Sequence, residues 1–251
     1  MAQQQTNTLV DEVIEENINS QLYKINESAK AAISIDCVIF GYDGNDLKVL
    51  TLTCNMKPYL GYRSLIGDLI NSNEGLNDSA SRILYERVGL KDLYLKQVRA
   101  FGMPKRHPLG RVISIAYFTV IALDDQQSIT KKMRNPMWVN LKDINELAFD
   151  HNDILNVCLN SLKEEIKSFP IVFKILPKKF TLIELQQVYE TILNIDLDNR
   201  NFRRKIRKIP YIKTLDEMQT GVNHRPARLY YFDFDSYEMD QAKQINNFEL
   251  H

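Results

Sequence analysis

The stretch that most constrains how this chain can fold is Asp198-Asn199-Arg200-Asn201-Phe202-Arg203-Arg204-Lys205-Ile206-Arg207-Lys208-Ile209, where a helix start signal runs into a one-sided basic stripe. At about 100° per residue, Arg200, Arg203, Arg204 and Arg207 fall within roughly a third of a helix circumference, while Phe202, Ile206 and Ile209 gather on the opposite side. Such a helix has to bury one face and present the other to solvent or to an anionic partner. No carboxylate interrupts the stripe, as the alternating charges of a solvated helix face would. Asp198 or Asn199 supplies the N-cap.

Upstream, Phe180-Thr181-Leu182 opens a second helix, whose Leu182, Leu185, Val188, Tyr189 and Ile192 are spaced for one buried face. Downstream, Tyr211-Ile212-Lys213 and Arg228-Leu229-Tyr230-Tyr231-Phe232 read as short strands, joined by a loop carrying Gly221, His224, Arg225 and Pro226. The order helix, turn, basic helix, hairpin predicts a winged helix-turn-helix. Between Pro170 and Phe232 there are twelve Lys or Arg against six Asp or Glu, a net of +6 in a chain whose formal charge is zero. That segregation points to a nucleic-acid surface. Arg200, Asn201, Arg203, Arg204 and Arg207 are expected in a major groove or on its flanking phosphates, with Lys205 and Lys208 at the margins. His224, Arg225 and Arg228 are expected to reach DNA from the wing. Lys178, Lys179 and Thr181 stand at a helix start, where backbone N–H groups favour phosphate. Arginine reads bases and holds phosphates alike, so the sequence leaves those roles open.

The remaining chain is longer than one such module. Its 251 residues, 44% of them hydrophobic, suit one or two domains with real cores. No run approaches the roughly 20 apolar residues of a membrane helix, and the Gln-rich start lacks the pattern of a signal peptide, so a cytoplasmic protein is expected. Cys37, Cys54 and Cys158 are odd in number, far apart and set in apolar patterns, which predicts buried thiols. Four regions are expected: a leader over 1–30 with a short acidic helix edged by Val10, Val13, Ile14 and Ile18; a mixed α/β domain over 31–168; the winged helix over 169–236; and a polar, fraying tail over 237–251. Within the second region, Ala32–Gly41 and Leu47–Thr53 flank the turn Asp43-Gly44-Asn45-Asp46, which predicts a hairpin. One strand is expected over Tyr62–Ile70 and a helix over Asp78–Val88 stopped by Gly89. Paired strands follow over Leu95–Gly102 and Val112–Leu123, then a short strand at Met137–Asn140 and a helix over Asn152–Ser168. Phe169–Lys179, with two prolines, reads as the connector.

The passage Asp68 to Leu90 resembles the Nudix signature, G-x5-E-x7-R-E-U-x-E-E-x-G-U with U aliphatic. Anchored on Gly89-Leu90, the match places Glu74 on the first Glu, Arg82 on the Arg, Leu84 on the aliphatic position and Glu86 on the first of the paired Glu. Asp68 stands in place of the leading Gly, Ile83 in place of the Glu after Arg, and Arg87 in place of the last Glu. Nudix hydrolases hold Mg²⁺ or Mn²⁺ on clustered helix carboxylates at i, i+3 and i+4. With Ile83 and Arg87 there, no catalytic residue, metal site or cofactor is expected, and Glu86 is expected to pair with an arginine.

A decayed Nudix box ahead of a winged helix is similar to the Nudix-related transcriptional regulators, particularly the branch typified by the arabinose-responsive regulator of Bacteroides. The resemblance spans about Ser34 to Phe232. It is carried by Ile35–Gly41, the decayed box, Val112–Tyr117, Phe149-Asp150-His151, Leu176–Leu182 and Arg200–Lys205. It implies an α+β fold, a Nudix-like α/β/α sandwich followed by a winged helix. It also implies a homodimer on a palindromic double-stranded operator, with a Nudix-like domain sensing a sugar such as L-arabinose or an ADP-ribose compound. The competing readings are a Nudix hydrolase acting on a nucleoside diphosphate compound and a basic module for RNA or protein. Polar residues within apolar strands mark the effector pocket: Asp36, Arg63, Asp68, Arg99, Tyr117 and the pair Asp150-His151. A sugar would use carboxylate and imidazole beside an aromatic face such as Phe101; a diphosphate would use Arg63, Arg99, Arg106 or Arg111.

Overall fold

The computed structural model describes residues 30–123, 135–168, 170–223 and 225–246. Its centre is β1 (Ala32–Tyr42), apolar almost throughout and buried on both faces from Cys37 onward. Such a run belongs in the middle of a covered sheet. One edge pairs in parallel with β6 (Val112–Ala122) along its whole length, from Ala32 opposite Val112 to Tyr42 opposite Ala122. The other edge is divided between β2 (Leu47–Thr53), opposite Phe40–Tyr42, and β4 (Ile66–Leu69), opposite Ser34–Cys37. β3 (Arg63–Ser64) and β7 (Met137–Asn140) pair with β2, and β5 (Lys96–Phe101) closes the far edge on β6.

The expected hairpin is present, its turn held by Asn45 and Asp46 N–H groups donating to Asp43 Oδ1 at 3.0 and 2.8 Å. The single strand expected over Tyr62–Ile70 is instead two, β3 and β4, serving different neighbours. Between them the Leu65 N–H leaves the ladder and donates to His151 Nδ1 at 2.9 Å.

Helices cover both faces. α1 (Leu76–Val88) lays Ala80, Ile83, Leu84 and Val88 against Ile35, Cys37 and Ile39 of β1. It ends at Gly89, whose φ of +77° needs the missing Cβ. α2 (His151–Ser168) lays Ile154, Cys158, Leu162 and Ile166 against Val38, Phe40, Phe118 and Val120. The period-2 alternation of β1 thus feeds two cores, each fully buried large side chain contributing roughly 1.5–3 kcal/mol. The three cysteines are buried and unpaired. Among the described residues, no helix is long and apolar enough to cross a membrane.

The α2 side of the core continues without a break into the C-terminal segment. The expected connector is a packed plug: a 3-10 turn over Ile171–Lys174 buries Ile171, Val172 and Phe173, with Ile175 and Leu176 buried just after it. Its apolar content explains the difference, since Phe173 stacks on Phe232 at 4.0 Å. There follow α3 (Leu182–Leu193), α4 (Asn199–Ile206), β8 (Ile212–Met218) and β9 (Arg228–Phe232). β8 outruns its expected length because a bulge carries the ladder on to Met218 opposite Arg228. The tail expected to be polar and fraying from 237 is, through Asn246, part of α5 (Phe234–Asn246). Asp233 caps it, accepting from Ser236 N–H at 3.1 Å, and Tyr237 packs on Tyr211 and Phe232. The expected leader helix lies outside the described residues.

Gly67 sits opposite Asp36, and a Cβ there would stand 2.2 Å from Asp36 Oδ1 and 2.7 Å from the Ile35 carbonyl oxygen. Backbone cannot yield as a flexible side chain would. Gly67→Ala is therefore expected to destabilise the fold by about 1–3 kcal/mol or more, as overpacking does, read as a lowered urea midpoint. A midpoint equal to the parent's would show that β4 moves away freely.

Candidate nucleic-acid interface and effector cavity

α3 begins with a reciprocal cap. The Glu184 N–H donates to Thr181 Oγ1 at 3.2 Å, and Glu184 Oε2 accepts from the Thr181 N–H at 2.6 Å. Thr181 is buried and its hydroxyl is committed here, which removes it from the expected DNA contacts. The turn into α4 is held by buried Gln186, whose amide donates to Glu190 Oε1 at 2.8 Å and to the Leu197 carbonyl at 2.9 Å. Glu190 also accepts from the Leu197 N–H at 2.9 Å, and Asn194 takes the left-handed conformation that ends α3. Asp198 Oδ1 then caps α4 through the Asn201 N–H at 2.8 Å.

α4 places Phe202 and Ile206 inward, the Phe202 ring 5.8 Å from that of Tyr189. Arg200, Asn201, Arg203, Arg204, Lys205, Arg207 and Lys208 are all exposed. Arg200, Arg203, Arg204 and Arg207 line one open depression with Asn199, and Arg204 Nη2 donates to Asn201 Oδ1 at 2.8 Å. The helix closes at Ile206, earlier than the sequence stretch, so Arg207 is its C-cap and Lys208 lies in the following turn. Lys178 and Lys179 are exposed, Lys179 pairing with Glu217 of β8 at 2.5 Å. Arg225 and Arg228 are exposed in the wing; His224 lies outside the described residues.

The second site forms around Asp36, brought to the sheet centre by β1. Ser114 Oγ donates to Asp36 Oδ2 at 2.5 Å, Arg106 Nη2 lies 3.3 Å from the same oxygen, and His151 Nε2 lies 3.6 Å from Oδ1. Arg106 is also bidentate on Asp150, through Nη2 at 2.7 Å and Nε at 2.8 Å. The Arg106 side chain is only 4% exposed. Burial pulls its pKa down, but Asp150 and Asp36 outweigh burial and raise it, so the guanidinium stays charged. His151 is pushed down by burial, and its Nδ1 accepts from Leu65, so the neutral ring carries its proton on Nε2 towards Asp36. Phe149, at φ +58°, stacks on His107 at 5.1 Å and touches the rings of Tyr59 and His151.

These groups border a cavity of about 510 Å³, whose lining includes Asp36, Asp68, Arg87, Arg106, His107, Arg111, Phe149 and His151. Of the expected effector residues it brings together Asp36, Asp68 and His151, with Arg106 and Arg111 of the arginines expected for a diphosphate. Arg99, Phe101 and Asp150 border a neighbouring groove of about 700 Å³ that shares Arg106. Asp150 spends its carboxylate on Arg106. Arg63 and Tyr117 border neither. Arg63 ties β2 to β3 through Thr51 and Thr53, both at 2.9 Å, and the Tyr117 hydroxyl sits in the α1-side core, 2.8 Å from Asn77 Oδ1 and 2.9 Å from Gln97 Oε1. His107 and Phe149 were missed as lining residues; the signal was their adjacency to Arg106 and Asp150.

In the Nudix-like box, Arg82 occupies the remaining carboxylates. Its Nε donates to both oxygens of Glu74 at 2.8 and 2.9 Å, and Nη1 to Glu86 at 3.0 Å. Hydrogen bonds from Asn71, Arg82 and Ser79 hold Glu74 down at about 2. Ile83 is wholly buried, and Arg87 pairs with Asp68. The two positions where the signature carries its leading Gly and last Glu have become an ion pair.

Residues 172–232 match the family described as the NrtR DNA-binding winged helix domain. The chain is 29% identical over 227 residues to the ADPR responsive transcriptional repressor NtrR of Acinetobacter baylyi, covering 89% of this chain and 90% of that one. Its structure resembles that of Shewanella oneidensis NrtR complexed with a 27mer DNA, with a TM-score of 0.70 and 27% identity over 82% of this chain and 95% of that one. The chain is an NrtR-like, Nudix-related transcriptional regulator. A MutT/nudix family protein from Enterococcus faecalis shares the fold at a TM-score of 0.62 and 23% identity, covering 82% of this chain and 88% of that one. The architecture is thus a mixed α+β Nudix-like domain with a C-terminal winged helix, and the regulator's basic helix lies within the matched segment.

The cavity makes stability depend on pH. His151 and His107 both have pKa values lowered from 6.5, chiefly by burial. A folded state that prefers neutral imidazole binds fewer protons than the unfolded chain. Its contribution is complete above the ordinary imidazole value and is lost as pH falls through it towards the folded values. Melting temperature is expected to drop as pH is lowered from about 7.5 to 5.5, a window spanning the ordinary imidazole pKa of about 6.5. His151→Gln, which keeps an acceptor for the Leu65 N–H, should flatten that drop; an unchanged slope would remove His151 from the account.

Proposed function

We propose that this regulator is a homodimeric repressor that reads a palindromic operator through α4 and the wing, and senses an ADP-ribose-class metabolite in the cavity around Asp36 and Arg106. Residues 31–168 are the sensor, and 169–236, closed by α5, the DNA-binding unit. The observation that carries the DNA half is the α4 face: an unbroken arginine surface outside, Phe202 and Ile206 inside. Two copies present two such helices to successive major grooves about one helical turn apart.

For the effector, three arginines and the Phe149–His107 stack supply cationic and flat aromatic surface, which a diphosphate carrying a base requires. The Acinetobacter relative is ADPR responsive. A free pentose such as L-arabinose is the second reading. It draws on the pairing of Arg106 and Arg87 with carboxylates, which leaves the cavity charge largely compensated, as a neutral polyol would favour. Thermal-shift titration separates the two, because ligand at about 100 times its Kd stabilises by about 2.7 kcal/mol. Stabilisation by ADP-ribose and none by L-arabinose is the expected result, and the reverse would move the effector to the second reading.

Catalysis is not part of this reading, because Ile83 and Arg87 stand where the signature carries carboxylates and the remaining Glu74 and Glu86 are paired with Arg82. No Mg²⁺-dependent hydrolysis of ADP-ribose is expected; turnover of about 1 s⁻¹ or faster would be ordinary for an enzyme and would restore the hydrolase reading.

Arg203→Ala and Arg204→Ala should melt like the parent, since substitutions on an exposed face change stability by no more than about 0.5 kcal/mol. A residue bidentate on guanine should cost about 1–3 kcal/mol and relax preference at one base pair. A phosphate contact should weaken all sequences alike and lower the salt slope by about one unit. Phe202→Ala should instead destabilise the fold by roughly 3–5 kcal/mol. Operator titrations at several salt concentrations, run beside the melts, check this; parental DNA binding by both arginine variants would mean that α4 is not the reading head.

A further inference from the structure

We propose that the buried Asp36–Arg106–Asp150 network is the switch that carries occupancy of the cavity to the winged helix, thrown by an anionic ligand group that draws Arg106 away from Asp36 and acting through α2. This rests on the proposed effector reading and adds to it which chemical group of the ligand signals, and by what route.

The two links of Arg106 are unequal. It grips Asp150 with two short hydrogen bonds at 2.7 and 2.8 Å, but reaches Asp36 through a single nitrogen at 3.3 Å. A phosphate at the cavity wall competes for the same guanidinium, and the longer contact yields first. Asp36 is then a buried carboxylate short of a cation, which is costly unless another donor closes on it. His151 Nε2 waits at 3.6 Å from the other Asp36 oxygen, beyond hydrogen-bond distance but facing it. Asp150, which follows Arg106, and His151, which answers Asp36, are neighbours at the first turn of α2. Movement of Arg106 therefore pulls on one helix end from two sides.

α2 transmits that pull because it is packed along its length. Ile154, Leu155, Cys158, Leu162 and Ile166 share one continuous buried cluster with Val172, Leu182, Leu185, Val188 and Phe202. A close-packed core responds to a displaced helix by repacking. The other end of the DNA-binding unit is held differently: Thr191 Oγ1 of α3 donates to the Asn45 carbonyl in the β1–β2 turn at 3.2 Å. α3 thus touches both α2 and the β1–β2 turn, and a shift of one relative to the other tilts the helix on which α4 is built. A neutral sugar hydrogen-bonds to carboxylates without competing for Arg106, and would leave the switch closed.

The test measures operator affinity with and without saturating ADP-ribose, calorimetric ADP-ribose binding and thermal melting, on an operator selected from random duplexes. In the parent, ADP-ribose should change operator affinity within the range of about 5–150-fold typical of allosteric coupling. Asp150→Asn should melt cooperatively and still bind ADP-ribose, with that change reduced to less than about twofold, the coupling free energy being mostly lost. Asp36→Asn frees Arg106 without ligand, so its ligand-free operator affinity should move to the value the parent shows with ADP-ribose; this arm decides if Asp150→Asn fails to fold. If the parent shows no response to ADP-ribose, the effector reading fails and the switch with it. If the parent responds and Asp150→Asn responds fully, or Asp36→Asn binds operator like the ligand-free parent, the switch alone fails. A response to L-arabinose of the same size would also overturn it, since that ligand carries no anionic group.

Discussion

A buried charge sets the terms for this structure. Asp36 lies in the central strand, buried at the wall of the cavity, and a buried carboxylate is costly unless it is paired and hydrogen-bonded, so the fold delivers a cation and further donors to it. Three separate segments comply. β6 supplies Ser114, the loop after β5 supplies Arg106, and the start of α2 supplies His151 and, through Arg106, Asp150. β4 has to pass closely enough that only glycine fits at position 67. The cavity is what remains where these pieces meet.

Most of the fold could be read in the sequence because its signals are local. The amphipathic stripes of α2 and α3, the Asp43–Asp46 turn and Gly89 at the end of α1 all report conformations decided within a few residues. The exceptions were decided by long-range packing. Tyr62–Ile70 reads as one strand, but Leu65 is taken out of the ladder by a histidine 86 positions away. Phe169–Lys179 reads as a linker on its prolines, yet Ile171, Val172, Phe173, Ile175 and Leu176 are buried in the core that runs on into the winged helix. The segment from Tyr237 reads as polar, yet Tyr237 finds an aromatic cluster assembled from Tyr211 and Phe232.

The two sites differed in legibility for the same reason. The α4 face is periodic, and seven of its expected contacts lie exposed on it or in the turn that ends it. Thr181 failed because a hydroxyl at a helix start serves the cap before any ligand. The cavity is a constellation drawn from strands, helices and loops far apart in the chain, and polar residues in strands locate it only partly. Asp36 and His151 belong to it, whereas Arg63 and Tyr117 are polar in strands because they hold the sheet together. Arg106, the residue at its centre, stands in the sequence only as one of four arginines suited to a diphosphate; its loop position gives no periodic signal that would set it apart from Arg63 or Arg99.

The charge arrangement around the box bears on why such a domain would sense rather than hydrolyse. A metal-dependent hydrolase neutralises a diphosphate with a cation that also activates water, so binding and chemistry come together. Here arginines occupy the carboxylates, Arg82 on Glu74 and Glu86 and Arg87 on Asp68, while Arg106 is the buried cation beside the cavity. A guanidinium neutralises phosphate without lowering the pKa of a bound water, so under the proposed function the ligand is held and not consumed. Because Arg106 is already bound to two carboxylates, an anionic ligand that engages it would have to rearrange an existing ion pair, and under the proposed switch that rearrangement is what turns occupancy into a change of structure.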